Sequence, residues 1–230
     1  MIEATQRDIF ERLNHLRLVL SFIKQNESTS PLIEDSLEVI NLRGLFYVMM
    51  YSLVEYSFSR CLYDLINFFK NKKIKKIHIK SLFYSIVSDS DFKRFKYSSN
   101  NKNEIKKRIE FLENLFSDGE INIDSNFFSI HSQNVTPEYI ELVGKCLCIK
   151  ELKLNHRDAT YLVEITEKRN RVAHGRDSSF AVGRSTRSPE LRLRLEAVER
   201  IINHLMNTID LESITFSCID DGFKTIYCTE

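Results

Sequence analysis

An all-α fold, an antiparallel helical bundle, is what this chain predicts, and three observations carry the prediction. Apolar residues recur at helical spacing over long runs: Ile9, Leu13, Leu16, Leu20 and Ile23 in one, Leu37 to Phe69 in a second, and Leu191, Leu195, Val198, Ile202, Leu205 and Ile209 in a third. Breakers are scarce, with six glycines and three prolines in 230 residues. Each proline follows a hydroxyl residue (Ser30-Pro31, Thr136-Pro137, Ser188-Pro189), the arrangement of a capped helix start. A hydrophobic content of 43% is ample for one large core.

Taken in order, the first helix covers the Ile9–Ile23 periodicity, and the second runs from about Leu37 to Phe69. In the second, Val48, Tyr51, Phe58 and Leu62 form an inward stripe with Glu55 in its middle. A carboxylate on an inward face needs a partner. Residues 71–150 read as a mainly helical segment inserted in a domain spanning 1–212. From Lys70 to Glu110 thirteen Lys and Arg stand against four Asp and Glu, a local net charge of +9 in a chain whose total is +1. Lys72, Lys73, Lys75 and Lys76 open this stretch, and Phe83, Tyr84, Phe92, Phe95 and Tyr97 are interleaved further along. Such a pattern suits either phosphates and stacked bases or a solvated basic face over its own aromatic core. Residues 117–135, rich in Ser, Asn and Asp, read as loop. Residues 156–173 read as an amphipathic helix capped by Asn155, with Asp158 at the positive end of its dipole and Ala159, Leu162, Val163 and Thr166 inward. The last long helix opens at Ser188-Pro189-Glu190, and its regular apolar seam serves either the core or a dimer interface. The tail, 213–230, has β-prone residues around Asp220-Asp221-Gly222 and predicts a short hairpin.

The chemistry concentrates in Arg169-Asn170-Arg171-Val172-Ala173-His174-Gly175. Arg169 lies seven residues after Leu162 and so points within about 20° of the inward stripe. An inward arginine must be paired or line a cavity. Histidine exchanges protons near neutrality, and arginine offers phosphate a fixed planar cation. Together they suffice to cleave RNA without a metal: a base takes the proton from a ribose 2′-hydroxyl, and a cation stabilises the charged phosphorane. Five residues on an ideal helix turn a side chain by about 140°, so Arg169 and His174 do not converge on one straight helix. Either the helix ends near Ala173 with Gly175 left-handed, or two copies face each other in a composite site, or both. Glu55 is the natural partner to position Arg169, or else a carboxylate that only fixes helix register. Arg171 and Arg176 flank the motif as candidate phosphate contacts.

Arginine, a polar residue, three residues and histidine is the pattern of the HEPN superfamily, and Glu167 through Gly175 resembles its stand-alone bacterial nucleases, as do Ser179 to Arg184 and Ser188 to Leu191. The resemblance is close over 150–212, loose over 1–70, and leaves 71–150 and the tail outside. It implies a HEPN-like bundle, often a homodimer, that cleaves RNA without metal as a toxin or anti-phage effector. A cognate antitoxin or a neighbouring defence protein is the implied partner. Some members have lost activity and only bind RNA or a partner protein.

Other chemistries find no support. Cys61, Cys146, Cys148, Cys218 and Cys228 include no Cys-x2-Cys pair, so a zinc site is not expected and reduced thiols in a cytoplasm are. No phosphate-binding glycine loop and no metal-nuclease carboxylate cluster is evident, and no cofactor is expected. The amino terminus has no secretory pattern, and the most apolar window, Leu45 to Val54, is too short to span a bilayer, so no membrane association is expected. Among other histidines, His156 reads as a first-turn helix residue and His204 as a flank residue, while His131 is a distant candidate for a second proton carrier.

Overall fold

The computed structural model describes residues 2–30, 33–96, 101–115, 117–125, 127–128 and 134–228. Pro31, Tyr97 and His131 lie outside them. The described residues form helices and no strand: α1 (Glu3–Asn26), α2 (Leu37–Asn71), α3 (Tyr84–Val87), α4 (Asp89–Lys96), α5 (Asn101–Leu115), α6 (Pro137–Cys146), α7 (His156–Ala173), α8 (Ser179–Arg184), α9 (Ser188–Thr215) and α10 (Lys224–Tyr227).

The 35-residue α2 is the axle of the bundle, packed on by α1, α7, α8 and α9, while α7 and α1 also pack on α9. Its Ser36 cap accepts from the Val39 N–H, and its buried face includes Phe46, Tyr47, Met50, Tyr51, Phe58 and Leu62. By length and composition α2 is apolar enough to cross a membrane, a property the shorter Leu45–Val54 window does not reveal; 56% of its most apolar 18-residue window is buried in the fold, as in a core helix. The α9 seam, Leu191 through Ile209, is buried against the other helices and is therefore core.

Between α2 and α8 the two backbones touch. A Cβ on Gly44 would sit 1.9 Å from the Ser179 carbonyl oxygen, and one on Gly183 would sit 1.9 Å from that of Ile40. Only glycine permits this approach. The Ser178 hydroxyl caps α8, and the Ser179 hydroxyl donates to Asn41 Oδ1 at 2.7 Å. The residues just after the motif are thereby clamped to the axle.

A buried ionic latch closes one end of the bundle. Arg43, 2% exposed, stands between Glu27 Oε1 at 2.7 Å and the Asp35 carboxylate. Ser188 was expected to cap α9, but its hydroxyl donates to Glu27 Oε2 at 2.6 Å, and Arg187 takes the cap position, its N–H donating to Glu190 Oε2 at 3.0 Å. The competing carboxylate explains the shift.

The segment between α2 and α7 shares the core through Ile74, Phe83, Ile121, Ile123 and Val135. Its aromatics serve packing: Phe83 meets Phe69 edge-on at 5.8 Å, and Phe92 and Phe95 both pack on Phe111. The hairpin expected in the tail does not form. Ile219 bridges to Ile79, flanked by Lys80 N–H to Cys218 O and Asp220 N–H to His78 O, so the edge at 75–80 takes the partner role. Residues Asp221–Phe223 turn instead into α10, and His78 stacks on Phe223 at 4.0 Å while its Nδ1 meets the Tyr227 hydroxyl at 2.8 Å.

Candidate active site

α7 starts as its sequence dictates: the Asn155 side chain accepts from the Asp158 N–H. Asp158 itself is buried and grips Arg200 of α9, with Oδ1 2.6 Å from Nη2. Burial alone would raise the Asp158 carboxyl; the bonds from Arg200 and Asn155 outweigh it and hold the carboxyl below its ordinary range. The inward face is Leu162, Ile165, Thr166 and Arg169, with Val172 packed on the core. Val163, expected inward, is 49% exposed, and Ala173 is also exposed, because the stripe follows 162, 165, 169 and 172 rather than turning toward 163 and 173. Immediately before the motif, Lys168 Nζ donates to the Tyr47 hydroxyl at 3.0 Å, tying α7 to the axle, and lies 3.0 Å from Glu164 Oε1.

The helix ends at Ala173, and Gly175 takes the left-handed conformation with φ +65°. The Gly175 N–H bonds to Val172 O at 3.1 Å and the Arg176 N–H to Arg171 O at 2.9 Å, the paired bonds of a Schellman stop. His174 occupies the C-cap, its own N–H on Asn170 O at 3.1 Å. Its imidazole is exposed and makes no hydrogen bond to any described residue. The Arg171 guanidinium is ion-paired with Asp177 and braces this turn, whereas Arg176 is exposed with no ion pair among the described residues.

Arg169 is held at partial exposure by three elements. Its Nη1 donates to Asn170 Oδ1 at 2.7 Å and to Asn134 Oδ1 at 3.2 Å, and its Nη2 lies 3.7 Å from Glu55 Oε2. Its guanidinium carbon sits 4.4 Å from the centre of the Tyr51 ring, a cation–π contact. The Tyr51 hydroxyl accepts from the Val135 N–H at 2.7 Å. Burial pushes that phenol above its ordinary value. Glu55 and Arg169 therefore meet where α2 and α7 cross. Sequence reasoning missed Tyr51 and Asn134 as neighbours of the motif. The signal for Tyr51 was its place one helical turn before Glu55 on the same stripe; for Asn134 it was a polar residue just ahead of the Thr136-Pro137 cap.

The basic lysines are elsewhere. Lys72 lies seventeen residues beyond Glu55, about 25 Å along the helix axis. Its ammonium lies over the Phe68 ring, Lys75 Nζ pairs with Asp118 at 2.9 Å, and Lys76 Nζ donates to Asn114 Oδ1 at 2.5 Å. Lys73, in a left-handed conformation with φ 50°, is exposed. Among the other histidines, His156 is exposed at the start of α7 and His204 Nε2 contacts Glu151 O at 2.9 Å. No group of three or more His, Cys, Asp and Glu among the described residues is placed to hold a metal ion.

The chain is thus a helical bundle that carries Arg169 on the inward face of α7 and His174 at its glycine-stopped end. A family model described as RiboL-PSP-HEPN matches residues 7–211, and the chain belongs to this HEPN family. That match spans residues 71–150, which the sequence reading had set outside the resemblance. No match was found among curated proteins or among solved structures.

Proposed function

We propose that this chain is a metal-independent endoribonuclease of the cytoplasm, acting as a homodimer in toxin or anti-phage defence and held in check by a cognate antitoxin or a neighbouring defence protein. One observation carries the reading: a partly exposed arginine, cradled rather than neutralised, lies five residues before an exposed imidazole that makes no hydrogen bond to a described residue. His174 takes the proton from a ribose 2′-hydroxyl, and the 2′-oxygen attacks the adjacent phosphorus. Arg169 stabilises the phosphorane charge, with Asn170 and Glu55 orienting it. The phosphorus–O5′ bond breaks, and the leaving oxygen takes a proton from the second protomer's imidazole. The products are a 2′,3′-cyclic phosphate and a 5′-hydroxyl. A composite two-fold site suits a histidine five residues, about 140° of ideal helix, beyond its own Arg169. Arg176 contacts a flanking phosphate. Arg171, already paired with Asp177, does so only if that pair opens. Lys72, Lys73, Lys75 and Lys76 reach more distant phosphates of a long RNA.

The test is cleavage of total cellular RNA by wild type and His174→Ala in excess EDTA, with end-group analysis. Cyclic phosphate ends from wild type alone are expected. A magnesium requirement or 5′-phosphate ends would overturn the mechanism. A non-catalytic module that binds RNA or a partner protein is favoured by one observation, the engagement of Arg169 by Glu55, Asn134 and Asn170. RNA binding without cleavage by either protein would select it.

A further inference from the structure

Beyond the amino-terminal end of α7, whose 18 residues extend about 27 Å, a concavity opens. It has a volume of about 600 Å³, within the range of small-molecule sites. Its apolar lining is Leu82, Ile149 and Leu152. Its edge carries Lys80, Lys150 and Lys153, which come from two separate stretches of chain. None of these three ammoniums makes an ion pair or a side-chain hydrogen bond with a described residue. Lys145, also on the edge, is paired with Glu141 at 3.0 Å, and Asp220 is the other carboxylate there. Lysine beside the carboxyl end of α6 suits that helix dipole, which accounts for Lys145. The dipole does not account for Lys80, which comes from a separate stretch of chain held by the bond from its N–H to Cys218 O at 2.8 Å.

The wall has a second unusual feature. α6 stops at Leu147, and Cys148 follows in the left-handed conformation with φ 62°. The Cys148 N–H bonds to Lys145 O at 3.1 Å and the Ile149 N–H to Gly144 O at 2.8 Å. This position of a helix stop favours glycine, and a side chain there costs about 1 kcal/mol. The side chain kept at that cost is a half-buried thiol facing the cavity. Burial pushes the thiol above its ordinary value, so it lines the cavity as a slowly reacting, neutral group.

We infer that this cavity binds a small phosphate-bearing organic anion, its apolar or aromatic body on Leu82, Ile149 and Leu152 and its phosphates between Lys80, Lys150 and Lys153. The inference does not depend on RNA cleavage, because the cavity and the motif occupy opposite ends of α7.

The experiment is titration calorimetry of the full chain with ADP, against pyrophosphate and adenosine as the two halves of the ligand. Alkylation of Cys148 and of the exposed Cys228 is followed in parallel by mass spectrometry. ADP is expected to bind at one saturable site, more tightly than either half, and to slow alkylation of Cys148 but not of Cys228. Combined Lys80→Ala, Lys150→Ala and Lys153→Ala should weaken binding by about tenfold or more. Leu82→Glu, on an exposed residue that does not support the fold, should also weaken it. Arg169→Ala should leave it unchanged. Three results overturn the inference: no saturable binding, binding lost in Arg169→Ala and kept in the lysine variant, or binding without protection of Cys148. A ten-nucleotide RNA that requires the three lysines while ADP does not bind would reassign the surface to the nucleic acid.

Discussion

Arg43 and Arg169 both reach into the bundle from helices, and the protein treats them in opposite ways. Arg43 is sealed from water between two carboxylates, Glu27 and Asp35, in a cluster that also receives Arg187 and Ser188. Arg169 keeps 22% of its side chain exposed, faces one carboxylate at 3.7 Å, and is otherwise held by two amides and a ring face. A sealed, neutralised cation fixes architecture. A cation whose charge is only partly offset retains attraction for an incoming anion, and its amide neighbours set its direction without cancelling it. On the function proposed above, the difference separates a structural arginine from one that meets the scissile phosphate.

The largest effect expected from this contrast is on stability. Arg43→Ala leaves two buried carboxylates without their shared cation and should cost about 3–5 kcal/mol, read as a lowered denaturant midpoint at pH 7. Acid sharpens the same point. Burial would raise Asp35, but the Ser28 N–H, Arg43 and Arg187 outweigh it and hold its folded value below the ordinary one. A depressed carboxyl contributes stability above its unfolded value, and that contribution is lost as pH falls through the folded value, below about pH 4. In Arg43→Ala, Asp35 should give up this dependence, so the variant loses less stability than wild type on acidification. An equal acid loss in both proteins would show that the latch does not govern Asp35.

Arg169→Ala is the mirror experiment. Cleavage should fall by about 10²- to 10³-fold, as for loss of one transition-state donor, while the denaturant midpoint moves little. If the midpoint drops as it does for Arg43→Ala, the two arginines are alike and the contrast fails.

How far sequence alone exposed these two sites differs for a physical reason. The α7 motif was legible because its information is local: helical period, the Asn155 cap and a glycine stop all lie within about twenty residues. Periodicity also gave α1, α2, α9 and their buried faces, and the meeting of Glu55 with Arg169 followed from two charges on inward stripes. The Arg43 latch stayed hidden because Glu27, Asp35, Arg187 and Ser188 are distant or irregularly spaced, and no period marks them. The tail was misread as a hairpin because β-prone residues do not name their partner, and Ile79 lies 140 residues before Ile219. Val163 was placed inward because a stripe read to the nearest residue does not reveal where the neighbouring helices sit.

A smaller change tests whether the motif depends on the clamp that follows it. Gly183→Ala would drive a Cβ to within 1.9 Å of the Ile40 carbonyl oxygen, which is backbone and cannot swing aside. Overpacking of this kind costs about 1–3 kcal/mol. Because α8 begins four residues after Gly175, pushing it off α2 should also loosen the turn that carries His174. Amide hydrogen exchange at Arg176 and Asp177, both bonded to Arg171 O, should quicken more than exchange within α9. Uniform quickening would mean that the clamp stabilises the whole bundle without favouring the motif.

The smallest stability effect is expected at Glu55, and it bears most directly on what the single carboxylate does for Arg169. At 3.7 Å and with 28% of its side chain exposed, Glu55 gives Arg169 a screened attraction rather than a buried ion pair. Glu55→Gln keeps the shape and one acceptor oxygen but removes the charge, so the denaturant midpoint should shift by less than about 1 kcal/mol. If Glu55 only sets helix register, cleavage should fall no further than stability does. If it aims the guanidinium, cleavage should fall by about tenfold at unchanged stability, and Arg169→Ala should add little when combined with it, because both substitutions remove one interacting unit. Full additivity of the two losses would place Glu55 outside that unit and leave Asn134, Asn170 and Tyr51 as the groups that direct the arginine.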